Sequence, residues 1–323
     1  MSIAVGIGLM DFPFSGARDF WRWVDVCEEG GLDSIWQTDR LVSRKPVLEC
    51  MSTMAALSGA TRKIKFGMNV LALGFRDPLV VAKECATIDM LSEGRLLPAF
   101  GSGSPSSPDW AATGRTEKGR GRRTDEALEI IARLWSGEDL HFEGEFFNYA
   151  GAHISPLPVQ RKIPLWFGGS GPVSVTRTAQ YGSGWLGGRE TPEQAGKAMM
   201  AIRLAARDLG RRVPSDHFGA SFGYRHGSPE EPVFHDYIDR LKQRFPKRDP
   251  SRSVVAGDAD VVLARIADYA AAGISKFVLR PIGADDDDII DQTKWLADEI
   301  IPRLGELSEN IPELPPEVLE TAT

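Results

Sequence analysis

Cysteine and histidine are scarce in this chain of 323 residues, and their scarcity excludes several kinds of site. The three cysteines, Cys27, Cys50 and Cys85, are an odd number without a CxxC pair and stand among apolar neighbours. We expect small buried thiols in a reducing cytoplasm, not a disulfide framework. The five histidines form no i,i+4 pair and no HExxH motif, so no metal site is predicted.

Long hydrophobic runs and an excess of basic charge are also absent. The apolar stretches fall short of the roughly 20 residues that span a bilayer, so no membrane segment is predicted. The apolar start, Met1 to Met10, has no basic leader and predicts a buried first strand instead of a signal peptide. The formal charge is −7. Because phosphate contacts need a concentrated basic surface, a nucleic-acid partner is not expected.

Strand and helix patterns alternate along the whole chain, and hydrophobic residues, at 42 %, suffice for a sizeable core. The predicted strands are 3–9, 34–37, 64–73, 95–100, 165–168, 184–186, 218–224 and 276–279. Eight strand–helix units predict an α/β fold, a (β/α)₈ TIM barrel. A doubly wound sheet is the weaker alternative, because Gly6, Gly8 and Asp11 do not complete a GxGxxG fingerprint.

The predicted barrel is a single domain over residues 1–305, followed by a polar tail over 306–323. Two stretches, 137–160 and 228–252, break the rhythm and are predicted to be insertions after strands four and seven. The first has the composition of a hairpin or a lid, and both are expected to line or cover a substrate pocket.

Glycine, serine and charged residues follow several of the strands, where a barrel carries its active site. Asp39 and Arg40 follow the second strand, and Arg280 follows the eighth. The turn Gly169-Ser170-Gly171 leads directly into a helix, so its backbone N–H groups can bind an anion. An ordinary strand-to-helix turn is the alternative. No P-loop, nucleophile elbow or catalytic triad is present.

Five ordered blocks of this sequence resemble the bacterial luciferase-like flavin oxidoreductases. They are Gly31 to Trp36 with Asp39; Phe66 to Leu71; Arg76-Asp77-Pro78 with Ala86 to Asp89 and Leu91 to Arg95; Pro164 to Ser170; and Gly182 to Trp185. The resemblance extends over residues 3–304. It implies a barrel that holds reduced FMN, or the deazaflavin F420, with the ring over the strand ends.

The resemblance also implies where the cofactor lies. Asn69-Val70 falls where members of the family carry a non-proline cis peptide behind the ring, and the phosphate falls at Ser170, Gly171 and Val173. The implied cofactor-binding residues are Asn69, Val70, Gly101, Ser102, Gly103, Ser104, Gly169, Ser170, Gly171 and Val173.

Two departures from the family pattern concern the chemistry. Many members have a histidine where this chain has Arg40, and a guanidinium cannot act as a general base. Arg40 can instead hold an anionic substrate or stabilise developing charge, or it can form a surface salt bridge with Asp39. Ser104 stands where F420-dependent dehydrogenases tend to carry glutamate. Asp39 and Arg40 are the candidate catalytic residues, and Arg280 is the candidate substrate contact.

The sequence therefore predicts a flavin-dependent oxidoreductase. The preferred version is a luciferase-like monooxygenase that uses O₂ and reduced FMN from a separate flavin reductase to oxidise a small organic substrate. One alternative is hydride transfer with F420, without oxygen, and another is a flavin-binding protein without catalysis. A cytoplasmic homodimer is expected.

Overall fold

The computed structural model describes residues 2–160, 163–246 and 249–310. Its strands are β1 Ala4–Leu9, β2 Ser34–Gln37, β3 Lys65–Met68, β4 Leu71–Ala72, β5 Leu96–Leu97, β6 Ala99–Gly101, β7 Leu140–Glu143, β8 Asn148–Ala152, β9 Trp166–Gly168, β10 Gly184–Leu186, β11 Phe218–His226, β12 Val254–Gly257 and β13 Lys276–Pro281. Its helices are α1 Ala17–Glu29, α2 Cys50–Ala60, α3 Pro78–Leu91, α4 Asp109–Ala112, α5 Arg120–Trp135, α6 Pro172–Tyr181, α7 Pro192–Asp208, α8 Pro232–Arg244, α9 Ala259–Ala271, α10 Asp286–Trp295 and α11 Leu304–Asn310.

The main sheet is parallel throughout and closes into a barrel. Its order runs β4-β6-β9-β10-β11-β13-β1-β2-β3-β5, with β12 added beside β11. Because β3 and β4 are consecutive pieces of one strand, and β5 and β6 of the next, the two ends of this order are the same pair of strands. The ring therefore contains eight strands, and the predicted (β/α)₈ barrel is confirmed.

Two tryptophans fill the inside of the barrel. Trp36 and Trp166 lie on the second and fifth strands of the ring, which are not neighbours, and their ring centroids are 6.3 Å apart. The strands next to these indoles carry glycine at the positions paired with them, Gly67 beside Trp36 and Gly184 beside Trp166. A Cβ at Gly67 would lie 2.1 Å from the Leu97 carbonyl oxygen and 2.8 Å from the Trp36 ring, and one at Gly184 would lie 2.6 Å from the Trp166 ring.

The helices cover the outside of the sheet, and their starts follow the predicted capping pattern. The Asp77 carboxylate accepts hydrogen bonds from the Leu79 and Val80 amides at the start of α3. Thr191 and Gln194 form a reciprocal capping box at the start of α7. The apolar faces of these helices pack against the outward-facing side chains of the strands and form the main core.

Both predicted insertions carry regular structure. The first contains an antiparallel hairpin of β7 and β8. The second contains α8 and leads into β12, neither of which the sequence analysis predicted. Residues 247–248 of this insertion lie outside the described residues. Helix α11 spans the predicted boundary at residue 305, and residues 311–323 of the predicted tail also lie outside the described residues.

Two predicted strands are each divided in two. The predicted strand 64–73 is interrupted at Asn69 and Val70 between β3 and β4. The predicted strand 95–100 is interrupted at Pro98, which has no N–H to donate to a ladder.

Candidate functional site

The carboxyl ends of the barrel strands meet at one end of the molecule, called here the mouth. Between β3 and β4 the peptide bond from Asn69 to Val70 is cis, as the resemblance implies. The Asn69 amide donates a hydrogen bond of 2.8 Å to the Gln37 carbonyl. A Cβ at Gly101 would lie 2.8 Å from a Val70 methyl group, and one at Gly168 would lie 3.1 Å from the other. Val70 therefore lies against the backbones of the fourth and fifth strands.

Asp39 is enclosed directly behind this segment. Its side chain is 2 % exposed and pairs with Arg76 at 2.8 Å. It also accepts a hydrogen bond of 3.0 Å from the Ala72 amide. Burial raises the pKa of Asp39, although the charge of Arg76 and the Ala72 amide act against it. Both carboxylate oxygens are engaged in these contacts, which tie Asp39 to β4 and favour a positioning role over the predicted catalytic one.

Arg40 pairs with Asp11, not with Asp39 as the salt-bridge alternative supposed. Its guanidinium donates a hydrogen bond of 2.9 Å to one Asp11 oxygen, and the Lys45 ammonium lies 3.6 Å from the other. Asp11 follows β1, so this pair joins the ends of the first two strands at the mouth. The Asp11 carboxylate therefore lies beside two cationic side chains, those of Arg40 and Lys45.

The turn after β9 leaves backbone donors available at the start of α6. Gly171 is the N-cap, no side chain caps this helix, and the Ser174 and Val175 amides bond to the Gly171 carbonyl. The amides of Ser170, Gly171 and Val173 have no hydrogen-bond partner within the described part of the chain. The predicted anion corner therefore has three free donors.

Two side chains hold this turn in place. Gly169 has φ +93°, and a Cβ there would lie 2.9 Å from the Ser174 hydroxyl oxygen. The indole N–H of buried Trp185 donates a hydrogen bond of 2.7 Å to the Gly169 carbonyl. The Ser170 hydroxyl donates one of 2.8 Å to the Glu190 carboxylate. Sequence reasoning missed Glu190, which follows the sixth strand and stands beside the anion corner.

A cleft of about 700 Å³ opens next to Ser170 and is called here the outer cleft. It is bounded by α7, by the end of α8 and by the loop that follows α8. Its charged lining residues are Arg189, Glu190, Lys197, Asp249 and Arg252. Because three of these five side chains are basic, the cleft carries a small excess of positive charge along its length.

Arg177 connects the fourth-strand loop to the anion corner. Its guanidinium donates hydrogen bonds of 3.2 Å to the Ser102 hydroxyl and 2.9 Å to the Gly121 carbonyl, and it pairs with Asp125. In the same loop Gly103 has φ +74°, and Ser104 lies 3.1 Å from Ser106, hydroxyl to hydroxyl. No sequence motif identifies Arg177, since its partners come from two distant segments.

Helix α8 brings further basic groups to the mouth beside Arg280. Burial lowers the pKa of Arg280, and this side chain has no ion pair or hydrogen bond within the residues that the structure describes. Tyr237 of α8 lies close to it and donates a hydrogen bond of 3.6 Å to the Met10 sulfur. Desolvation and the nearby charge of Arg40 lower the pKa of Arg244. Three guanidinium groups therefore surround one side of the mouth.

Across residues 2–160, 163–246 and 249–310, no three His, Cys, Asp or Glu side chains converge as metal ligands. None of the helices in these ranges is both long and apolar enough to cross a membrane.

Comparison with known proteins identifies relatives over nearly the whole chain. Residues 8–225 match the model of the luciferase-like monooxygenase family. An F420-dependent glucose-6-phosphate dehydrogenase of Amycolatopsis mediterranei is 25 % identical, covering 90 % of this chain and 96 % of that protein.

Two solved structures share the fold. The monooxygenase RslO1 from Streptomyces bottropensis superimposes with a TM-score of 0.80 at 20 % identity, covering 93 % of this chain and 99 % of its own. An F420-dependent secondary alcohol dehydrogenase, in complex with an F420–acetone adduct, also superimposes with a TM-score of 0.80. The two chains are 21 % identical, and the match covers 94 % of this chain and 99 % of the dehydrogenase chain.

Proposed function

Because this chain belongs to the luciferase-like monooxygenase family, and its relatives of known activity are oxidoreductases, we propose that it binds a phosphorylated flavin or deazaflavin at the mouth. The observation that carries the proposal is the start of α6, where three amides lack partners in the described part of the chain. A phosphate accepts such hydrogen bonds, and the helix dipole favours its charge. The reduced ring would supply a hydride, or the electrons that activate O₂.

Three observations favour F420 as the cofactor. FMN ends in a phosphate monoester with nearly two negative charges at neutral pH, whereas F420 has a phosphodiester with one. The Glu190 carboxylate accepts a hydrogen bond from Ser170 and repels the more highly charged group. Beyond its phosphodiester F420 continues into an anionic glutamate tail, and the outer cleft, which starts at Ser170, has one more basic than acidic residue in its lining. The relative from Amycolatopsis mediterranei is named as F420-dependent.

Arg40 favours the second candidate, a monooxygenase that uses O₂ and reduced FMN. Oxidation of an alcohol by hydride transfer also releases the hydroxyl proton, which needs an acceptor. Arg40 occupies the position where many family members have histidine, and it cannot accept a proton. Its positive charge is suited to stabilise negative charge that develops near the ring. This version requires a separate reductase as a partner, and in either version the protein is proposed to be a cytoplasmic homodimer.

The substrate of either reaction is proposed to be a small organic anion. Arg280 lies at the end of the eighth strand without an ion pair in the described part of the chain, and Arg40 and Arg244 stand nearby. A partly buried, unpaired guanidinium costs free energy unless a ligand compensates for it. A carboxylate, phosphate or sulfonate group of the substrate would do so through bidentate hydrogen bonds.

Fluorescence titration of the full chain with F420 and with reduced FMN under argon tests the cofactor assignment. We expect saturable binding of both and tighter binding of F420. Oxygen consumption is then followed with reduced FMN, with a protein-free sample as the control. Binding of neither cofactor would refute the proposed site. Tight binding without hydride transfer or oxygen chemistry on any anionic substrate tried would favour the non-catalytic flavin-binding alternative.

A further inference from the structure

A second cavity opens at the end of the barrel opposite the mouth, where the strands begin. It has a volume of about 310 Å³ and is called here the basal cleft. Its lining includes Asp33, Ser34, Trp36, Lys65, Trp166 and Lys276. Ligand pockets for small molecules begin at roughly 300 Å³. The cleft is therefore large enough for a molecule with one ring.

Two indole rings form the inner wall of this space. Barrels of this type are usually filled by stacked layers of branched side chains. Here Gly67 and Gly184, which are paired with Trp36 and Trp166 on the neighbouring strands, contribute no side chains. The two indoles form a single layer across the barrel. Below that layer, no side chain of the described residues fills the space that the strand beginnings enclose.

The indole layer also separates the basal cleft from the mouth. Trp36, Trp166, Leu186 and Val278 belong to one apolar cluster, and Val70 packs against this cluster from the mouth side. The same four residues line the basal cleft. A ligand in the basal cleft would consequently touch the opposite side of the layer that supports the cofactor segment.

The charged residues of the basal cleft, two lysines and one aspartate, carry a net positive charge. Lys65 donates a hydrogen bond of 2.8 Å to Asp33, whose other oxygen accepts one of 3.0 Å from the Ser34 hydroxyl. Lys276 is partly buried at the first position of β13, and its side-chain ammonium has no hydrogen bond or ion pair within the described part of the chain. Although burial by itself raises the pKa of Asp33, the charges of Lys276 and Lys65 lower it overall. One positive charge thus remains uncompensated.

We propose that the basal cleft binds a small organic monoanion with a flat apolar body, such as an aromatic carboxylate. Lys276 would pair with the anionic group, and the faces of Trp36 and Trp166 would contact the apolar body. An unpaired, partly buried ammonium has no benefit for packing, since a methionine would fill the same volume without desolvating a charge. This site is independent of the cofactor site at the mouth.

Fluorine NMR of the full chain labelled with 5-fluorotryptophan tests the proposal. Substituting Trp36 and Trp166 singly with Phe assigns their signals among the eight tryptophans. Benzoate is the probe, and benzamide is its neutral control of the same shape. We expect benzoate to shift the Trp36 and Trp166 signals saturably and benzamide to bind about tenfold more weakly.

Three variants locate the charge that benzoate needs. Lys276→Met should weaken the benzoate-dependent shifts about tenfold, and Lys276→Arg should restore them. Arg280→Met, at the mouth, should leave the shifts unchanged, which distinguishes this site from the proposed substrate site. Absence of saturable shifts at Trp36 and Trp166, or equal affinity for benzoate in Lys276→Met and the parent protein, would overturn the proposal.

Discussion

The Ser170 hydroxyl donates a hydrogen bond of 2.8 Å to the Glu190 carboxylate, directly beside the free amides at the start of α6. A carboxylate at a proposed phosphate site penalises a phosphate in proportion to its charge. We therefore expect Glu190→Gln to strengthen binding of FMN more than binding of F420. The gain in selectivity should be about fivefold, since one additional charge pair in water contributes about 1 kcal/mol. Parallel fluorescence titrations measure the ratio, and an unchanged ratio would contradict this electrostatic account.

Ser170→Asp should abolish cofactor binding. The variant places a second carboxylate against the phosphate, and the expected loss is at least about a hundredfold in affinity, or roughly 3 kcal/mol. Ser170→Ala is the matched control, because it removes the hydroxyl without adding charge and should lose much less. Unchanged affinity in Ser170→Asp, with an unchanged melting temperature, would count against the assigned phosphate corner.

Arg40→Ala should lower turnover more than cofactor affinity. The guanidinium is held at the mouth by Asp11 at 2.9 Å, where its charge can act on the reaction and not on the distant phosphate. We expect kcat to fall about tenfold or more while the cofactor Kd stays within about twofold, with partial rescue in Arg40→Lys. The reverse pattern, weak binding with normal kcat, would make Arg40 a cofactor ligand.

Arg280→Met should reduce affinity for anions at the mouth. With the cofactor bound, calorimetric titration with inorganic phosphate should show binding to the parent protein that weakens about tenfold in the variant. Arg265→Met is a suitable control, since Arg265 is a partly exposed side chain of α9. If both variants bind phosphate as the parent protein does, Arg280 is not the anion contact.

Asp39→Ala should destabilise the fold, because it leaves Arg76 partly buried without its main partner. Breaking a buried ion pair from one side costs about 3–5 kcal/mol, measured as the free energy of unfolding in urea. Glu49→Gln is the control: Glu49 also contacts Arg76 at 2.8 Å, but its side chain is 38 % exposed, so a smaller loss is expected. Equal losses in the two variants would argue against the positioning role of Asp39.

The barrel was predictable from sequence because local signals repeat through the chain. The pairs Asp77-Pro78 and Thr191-Pro192 start helices where capping chemistry requires them. Helix α8 was missed although a signal for it was present. Its apolar residues Phe234, Tyr237 and Leu241 recur at helical spacing after Glu231-Pro232, but the surrounding charges and prolines obscured the pattern.

The supporting contacts of the site were not predictable in the same way. Arg76 reaches Asp39 across 37 positions, and Arg177 reaches Ser102 across 75. Such pairs depend on how strands and helices pack, and no spacing within one segment encodes them. The interior of the barrel was hidden for the same reason, since the Trp36 and Trp166 rings come from non-adjacent strands and meet only in the folded barrel.

The indole pair inside the barrel has a consequence for solvent. Trp36 and Trp166 divide the axis of the molecule into two compartments, so water that enters among the strand beginnings stops at their rings. Substituting either tryptophan with alanine would open a continuous channel from the basal cleft to the mouth. Water and dissolved O₂ would then reach the cofactor proposed for the mouth from the basal cleft. With reduced FMN bound, its oxidation by O₂ to give H₂O₂, without oxidation of an organic substrate, would be the first sign.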